Sequence, residues 1–576
     1  MHLTGVGVSP GIAVGRALVL AGHAREVRFL VAETAIPAEL ERLRRARDAS
    51  RRQLEEIKRR IAEQLGSAHA YLFDAQLLML DDPMLVERAA ELIRTERINA
   101  EWAVRRACDE LVAIIERADD PYLRERRGDI ADVVGRLTLN LRGGARDPVE
   151  LVARAPGPVV LVADELPASV AAQMDWSRVA GFATDSGSRT YHTAILARSL
   201  GVPAVAGLGD ASTRIAPGTR LALDGATGEV IVDPSDDEIA RFHERQVRRA
   251  AQLRSLHEYR HLPAVTADGV RIVLEANIER PEDIEAAREA GAEGIGLYRS
   301  EFLLSGGAPP DEKTQYEIYR RMVEQMAPAP VTVRTFDTAG PLPGEAPGFE
   351  RARFGLRGVR LSLATPDVFR TQLRALLRAA PHGRLRVMFP FVTSVDELRQ
   401  ARAELDRAEG ELRLEGLPWG TPAVGAMLEV PSAALIAELI AGEVDFMSLG
   451  TNDLVQYCVA ADRNDSRVGH LYEPLHPAVL RLLRLAVRGA RRRGVPLALC
   501  GEIAADPGLL ALLVGLGLRE FSMTPAAVPA AKKVIRELRV EDARQMAQRA
   551  LRRATAREVE RELTAYLSRT RQPVES

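Results

Sequence analysis

After residue 266 the chain alternates short apolar runs with longer amphipathic stretches, and it does so eight times. The runs are RIVLEAN, GIGLYR, VTVRTF, LRVMFPF, AVGAMLEV, DFMSLG, LALCGE and EFSM. Apolar runs of this length read as buried strands, and the stretches between them carry helical periodicity. Eight strands with intervening helices over about 300 residues predict an α/β fold with a C-terminal (β/α)8 TIM barrel spanning 263–576. An open doubly wound sheet is the alternative.

The rest of the chain has a different texture. At 576 residues it is too long for one core, so three or four domains are expected. Residues 3–20 read as short strands around the Ser9-Pro10-Gly11 turn. Between Pro37 and Arg142 glycine becomes rare and ELERLRRARDASRRQLEEIKRRIAEQL reads as one long amphipathic helix. Further helices are expected at 68–80, 83–95, 99–117 and 121–141, with Asp82-Pro83 and Asp120-Pro121 as capped starts. From Gly157 strands return in PVVLVADEL, GFATD, VPAVAG, TRLALDG and GEVIVDP, with a helix from His192 to Leu200 that Gly201 ends. This predicts a split α/β domain, 1–36 with 143–235, into which a helical bundle, 37–142, is inserted. A charged helix at 236–262 links it to the barrel.

Composition narrows the classes. Hydrophobic content of 46% and charged content of 27% suit a water-soluble globular chain. A net charge of −2 with 5% aromatics argues against nucleic acid as the main partner. Cys108, Cys458 and Cys500 have neither metal spacing nor a pairing pattern, so a reducing cytoplasm is expected. No stretch is apolar and long enough for a membrane span, and MHLTGVGVSPGIAVG lacks the features of a signal peptide.

In such a barrel the working side chains sit where strands end. Asn277 follows the first strand, Arg299 and Glu301 the second, and Arg334 and Asp337 the third. Glu429 ends the fifth, Asn452 and Asp453 follow the sixth, and Cys500 and Glu502 follow the seventh. Arg357 and Arg463 lie in the longer loops. Glu429 and Asp453 suit a hard cation such as Mg²⁺, which binds one or two carboxylates and keeps its other positions for water and substrate oxygens. The arginines suit bidentate clamping of phosphate and carboxylate on a small substrate. Glu301 and Glu502 are expected to partner the arginines. Taken singly, a charged residue after a strand is usually a cap or a surface ion pair; it is the convergence that points to a site.

His192 stands in TDSGSRTYHTAILARSLG at a predicted helix start. A helix N-terminus disfavours imidazolium, which leaves the ring neutral and nucleophilic. It favours an attached dianion by roughly 0.3–1 kcal/mol. Thr190 and Arg198 are placed to reach the same face. A ring that only caps or packs is the other reading.

These residues also carry a family pattern. The stretches GVGVSPGIAVGRA, TYHTAILARSLGVPAV, LDGATGEVIVDPS, GAEGIGLYRSEFLL, MFPFVTSVDEL, MLEVPSAA, DFMSLGTNDLVQYCVAADRND and CGEIAADP resemble enzyme I of the bacterial phosphoenolpyruvate:sugar phosphotransferase system, over essentially the whole chain. The resemblance implies a swivelling phosphohistidine domain, phosphorylation of His192 from phosphoenolpyruvate with Mg²⁺, and transfer to the phosphocarrier protein HPr docked on the bundle. It implies Arg299 and Arg334 on the substrate phosphate, Glu429 and Asp453 on Mg²⁺, Asn452 and Arg463 on the substrate, and Cys500 protonating the enolate. It also implies a homodimer formed through the barrel. The alternatives are a non-catalytic or regulatory relative that binds the phosphocarrier, and another Mg²⁺ enzyme using phosphoenolpyruvate.

Three departures from the pattern stand out. RTFDTAGPLPGEAPGFE has no Gly-Gly-Asp-Lys after its RT-x-D, and ERARFGLRGVR has Arg351 and Ala352 where the family carries Asn and Pro. Tyr191 replaces the usual serine before the active histidine. The first two bear on substrate binding and the third on the face offered to the phosphocarrier.

Overall fold

The segments GVGVSPGIAVGRA and LDGATGEVIVDPS, far apart in sequence, are neighbours in space. A Cβ on Gly225 would sit 1.9 Å from the carbonyl oxygen of Ser9, and one on Gly228 would sit 2.1 Å from that of Gly5. Gly228 also has φ 79°, a conformation glycine adopts without steric cost. Both motifs are thus glycine-bearing because two backbones pass within contact distance there.

The computed structural model describes residues 1–20, 28–65, 72–117, 127–141, 148–166, 168–171, 173–186, 201–306, 309–338, 355–462 and 468–570. The chain forms two units, Met1–Ala251 and Gln252–Ser576.

In the first unit the strands are β1 (His2–Thr4), β2 (Val6–Ser9), β3 (Ile12–Leu20), β4 (Val159–Ala163), β5 (Val179–Thr184), β6 (Ala204–Ala206), β7 (Arg220–Asp224) and β8 (Glu229–Val232). They form one sheet in the order β1-β8-β7-β3-β4-β5-β6-β2. Strand β4 shows why its sequence is a continuous apolar run. Val159 and Leu161 enter one core with Phe182 and Met174, while Val160 and Val162 enter a second with Leu221, Leu223 and Ile215. Both faces are covered, so no position is left for a polar residue. The helix expected from His192 to Leu200 lies outside the described residues. Gly201, its expected terminator, takes φ 66°.

Between β3 and β4 the chain makes the helices Ile36–Leu65, Leu72–Leu80, Val86–Glu96, Ala100–Arg117 and Arg127–Leu141. On the first, Leu43, Ala46, Ser50, Leu54 and Ile57 share one buried face at helical spacing. Ser50 is tolerated there because its hydroxyl donates to the Ala46 carbonyl at 2.8 Å. The helices have their own core, with Leu92, Ile93, Val104 and Leu137 at its centre; each such side chain contributes ~2 kcal/mol relative to exposure. The expected cap at Asp82 is corrected in detail. Its carboxylate accepts from the Met84 N–H at 2.8 Å, closing a turn around Pro83, and the helix proper begins only at Val86. Asp120-Pro121 lies outside the described residues. The charged helix Asp236–Tyr259 opens on a reciprocal cap, in which Ser235 N–H donates to Glu238 at 2.8 Å and Glu238 N–H to the Ser235 hydroxyl.

The second unit contains β9 (Val273–Ile278), β10 (Ile295–Arg299), β11 (Val331–Arg334), β12 (Leu385–Phe389), β13 (Ala423–Leu428), β14 (Phe446–Gly450), β15 (Leu497–Cys500) and β16 (Glu520–Met523). All pair in parallel, and β16 pairs with β9, so the sheet is a closed barrel. That closure removes the open doubly wound alternative. Outward-facing residues such as Ile295, Val333 and Leu449 join the large core beneath the helices. Leu297, Met388, Met427, Phe446 and Cys500 form a smaller core inside the barrel. The motif around residue 394 is a helix start. Ser394 caps Val395–Leu414, and Glu397 accepts from the Thr393 N–H and binds Arg360, both at 2.7 Å. Arg360 thereby ties the chain after residue 355 to this loop.

Candidate active site

Parallel strands deliver their C-terminal ends to one rim, and three of those ends bring carboxylates together. Glu429 follows β13 and is 2% exposed. Asp453 lies in the first turn of the helix Thr451–Val459 after β14, and Asp337 follows β11. One oxygen from each lies within 4.8 Å of the others. Gly450, in the SLGTND stretch, makes room for this: a Cβ there would sit 2.7 Å from Glu429 Cβ.

Two arginines hold the acids in place. Arg334 reaches Glu301 at 3.1 Å and Asp337 at 3.0 Å. Arg357 donates from Nε and Nη2 to the two oxygens of Asp337, both at 2.9 Å, and from Nη1 and Nη2 to those of Asp453, at 3.2 and 2.9 Å. One guanidinium thus bridges two carboxylates that would otherwise repel, and it lies over the ring of Phe391 at 5.1 Å. Glu429 has no such bridge. Its Oε1 accepts from the Phe391 N–H at 2.6 Å, and burial, with repulsion from Asp337 and Asp453, pushes its carboxyl up to about 8. Burial also acts on Asp337, but Arg334 and Arg357 outweigh it and hold that carboxyl below its ordinary value.

Cys500 closes the inner side of the site. Its Sγ accepts from the Ser448 hydroxyl at 3.3 Å and donates to the Leu449 carbonyl at 3.4 Å. Burial raises its pKa, which keeps the thiol protonated. Next to it Gly501 takes φ 122°, and a Cβ there would sit 2.2 Å from Thr451 Oγ1.

Of the candidate residues, Arg334, Glu429, Asp453 and Cys500 converge. Arg299 lies at the end of β10, bonded to Glu279 at 2.7 Å and close enough for its charge to act on Asp337 and Cys500. Asn452 is held by Glu502, whose N–H donates to Asn452 Oδ1 at 3.1 Å. Glu301 does partner an arginine, Arg334, as expected. His192 and Arg463 lie outside the described residues. The sequence places Asp337 on the rim without marking it as a member of the acid cluster, which the structure shows it to be. The signal available was its place just past the end of a strand, three residues after Arg334 in RTFD; the chain leaves the extended conformation there, and the two side chains meet at 3.0 Å.

The donor set is all oxygen and dominated by carboxylate, the chemistry of a Mg²⁺ or Mn²⁺ site rather than a soft-metal site. Burial and the charges of Asp337 and Asp453 raise the Glu429 carboxyl, and a divalent cation held by the three acids would offset that repulsion.

Three family models match in order along the chain: PEP-utilising enzyme, N-terminal, over 4–126; PEP-utilising enzyme, mobile domain, over 155–228; and PEP-utilising enzyme, PEP-binding domain, over 254–540. The chain is 40% identical to the phosphoenolpyruvate-protein phosphotransferase of Geobacillus stearothermophilus over 568 residues, 96% of each chain. It is 43% identical to that of Cupriavidus necator, covering 92% of this chain and 94% of the relative. For Staphylococcus carnosus the identity is 38%, covering 97% and 98%. A barrel rim of acids and arginines, three PEP-utilising domains in series and identity at this level over nearly the full length together mean that the chain belongs to the phosphoenolpyruvate-protein phosphotransferase family.

Proposed function

We propose that this enzyme takes the phosphoryl group of phosphoenolpyruvate onto His192, releases pyruvate, and passes the group to the histidine of the phosphocarrier HPr. The observation that carries the reading is the meeting of Asp337, Glu429 and Asp453 with Arg334, Arg357 and a protonated Cys500 at one barrel rim. Asp337, Glu429 and Asp453 would hold Mg²⁺, with Glu429 and Asp453 as the principal pair. When bound, the ion neutralises charge on the transferring group and on the enolate left behind.

The chain's own residues do the rest. Arg299 and Arg334 hold the phosphate, and Asn452 and Arg463 position the substrate. A ring nitrogen of neutral His192 attacks phosphorus; the new N–P bond forms as the bridging P–O bond breaks. The electron pair returns to the enolate, and Cys500 Sγ gives its proton to the methylene carbon, trapping the product as the ketone. Burial suits Cys500 to that role by keeping the proton on sulfur until an enolate is there to take it.

The organisation follows: 1–36 with 143–235 as the phosphohistidine domain, 37–142 as the phosphocarrier-binding bundle, 236–262 as the linker and 263–576 as the substrate-binding and dimerisation domain of a cytoplasmic homodimer. On the bundle, Leu78 is 75% exposed and Met84 46%, an apolar pair at the end of one helix and in the turn after it that suits a protein partner. No helix among the described residues is long and apolar enough to cross a membrane.

Labelled phosphoenolpyruvate with Mg²⁺ is expected to label the chain in an acid-labile, base-stable form, and His192→Ala to abolish that label. Label that persists in this variant removes His192 from the reaction. Cys500→Ala is expected to slow phosphorylation by about a hundredfold or more, the usual loss of a general acid, with Mg²⁺ binding by calorimetry unchanged. Parental rates in that variant would end the case for the thiol.

A further inference from the structure

We infer that the end of the barrel opposite the active-site rim carries a binding site for a small phosphate-bearing anion, built by Arg484, Arg488, Arg491, Arg519 and Arg544. Arg491 lies at the end of the helix that feeds β15, and Arg519 immediately precedes β16. Both are therefore at the strand starts, away from Glu429 and Cys500.

The helix Pro477–Arg493 contains six arginines and no acid. In a chain with 80 acidic and 78 basic residues that is an outlying local excess. One face of the helix is spoken for: a Cβ on Gly489 would sit 2.6 Å from the backbone nitrogen of Glu438, and Arg492 pairs with the Glu438 carboxylate at 2.8 Å. Arg484, Arg488 and Arg491 share another face, at i, i+4 and i+7. Arg519, in the turn before β16, lies close enough for the charge of Arg491 to act on it, and Arg544, on the helix Val540–Ala550 and paired with Glu541, acts on Arg484.

Part of this cluster has an ordinary job. Arg484 donates to the Leu516 carbonyl at 3.0 Å, and Arg519 to those of Val514 and Leu518 at 2.9 and 2.6 Å, satisfying the end of the helix Leu510–Leu516. That job takes Arg484 and Arg519, and Arg544 pairs with Glu541, so Arg488 and Arg491 are the cations it leaves over. Among the described residues no carboxylate forms an ion pair with Arg484, Arg488, Arg491 or Arg519. The acids nearby are engaged: Glu541 with Arg544 at 3.0 Å, and Asp268 with the Thr266 hydroxyl at 2.6 Å and the Val540 N–H at 2.8 Å. Arg484 Nε is buried without a partner. Burial, followed by repulsion from Arg488, Arg491 and Arg544, lowers the pKa of Arg484; burial and Arg491 lower that of Arg519 against the opposing charge of Asp268. Like charges held together against mutual repulsion favour a counter-charge of high density. The guanidiniums come from three elements around one helix end, and two are pinned by backbone carbonyls. That arrangement suits a compact polyanion gripped by bidentate forks better than an extended surface.

The test is calorimetric titration of the full chain with inorganic pyrophosphate at constant ionic strength. Arg299→Gln serves as the background, because the rim arginines also attract anions. Pyrophosphate should bind Arg299→Gln, and adding Arg488→Gln and Arg491→Gln should weaken that binding by about tenfold or more, since both substitutions remove a charge-assisted fork from the anion. Both added positions are exposed, so the melting temperature should stay at that of Arg299→Gln. Labelling from phosphoenolpyruvate by Arg488→Gln/Arg491→Gln alone should equal the parent's, which separates this site from the catalytic reading. Equal pyrophosphate affinity with and without the two substitutions would overturn the assignment. So would binding of anionic phospholipid vesicles or an oligonucleotide by Arg299→Gln in the absence of any pyrophosphate heat.

Discussion

Glu429→Gln is expected to lower Mg²⁺-dependent phosphorylation by about a hundredfold or more while leaving the metal-free protein more stable than its parent above neutral pH. The two effects have one cause. Glu429 is the buried member of three crowded acids, and its carboxyl is pushed up to about 8 from an ordinary 4.5. Below about pH 4.5 the group is protonated folded or unfolded and does not discriminate. Between about 4.5 and 8 the folded state keeps a proton that the unfolded chain has released, so stability falls as pH rises, and the loss is complete above 8. A neutral amide keeps an oxygen for the Phe391 N–H and offers an N–H to the neighbouring acids. The variant should therefore lack this slope, and at pH 8 without metal it should melt about 2–4 °C above the parent for each kcal/mol recovered. Urea unfolding of both proteins in EDTA across pH 5–9 checks it. Parallel pH profiles, or a variant that unfolds first at high pH, would mean that the acids are not crowded as described.

Removing Arg357 should act in the opposite sense. Its guanidinium makes four contacts to Asp337 and Asp453, and the Asp337 side chain is 1% exposed. Arg357→Ala leaves Asp337 with Arg334 alone and strips Asp453 of its partner, beside Glu429. Breaking a buried pair from one side typically costs about 3–5 kcal/mol, and a loss of that size is expected in the urea midpoint. Mg²⁺ should restore part of it, because the cation replaces the missing positive charge. Arg357→Lys should rescue little, since a single ammonium cannot fork across two carboxylates. A loss below about 1 kcal/mol would put the pair in the class of solvent-screened surface bridges.

The barrel was legible in sequence because its strands are sealed by helices outside and by packed side chains inside. Such strands show as mainly apolar runs, and all eight predicted runs overlap an observed strand. Helix starts were less legible. Asp82-Pro83 has the composition of a cap, but proline favours an aspartate-closed turn first, so the helix begins at Val86. The acid cluster was read only in part. Glu429 and Asp453 belong to strand ends whose sequences stand out. Asp337 is a lone aspartate after RTF, and which of the nearby charges it faces depends on Arg357, brought in from a distant segment by the Gly355–Gly358 turn and the bond from Arg360 to Glu397. Pairings of that kind are set by the path of a loop, and a loop's path leaves no periodicity to read.

The sheet of the first unit pairs β1 with β8, His2 against Ile231 and Thr4 against Glu229. As the chain leaves the ribosome, β1 has no sheet partner until residues 229–232 have been made. The helices between β3 and β4 emerge earlier with a complete core of their own. During synthesis the bundle is therefore the natural first folding unit, and the opening strands must wait as an unpaired edge while it forms. The polar side chains of HLTG, His2 and Thr4, help to keep that edge from pairing with another nascent chain in the interval.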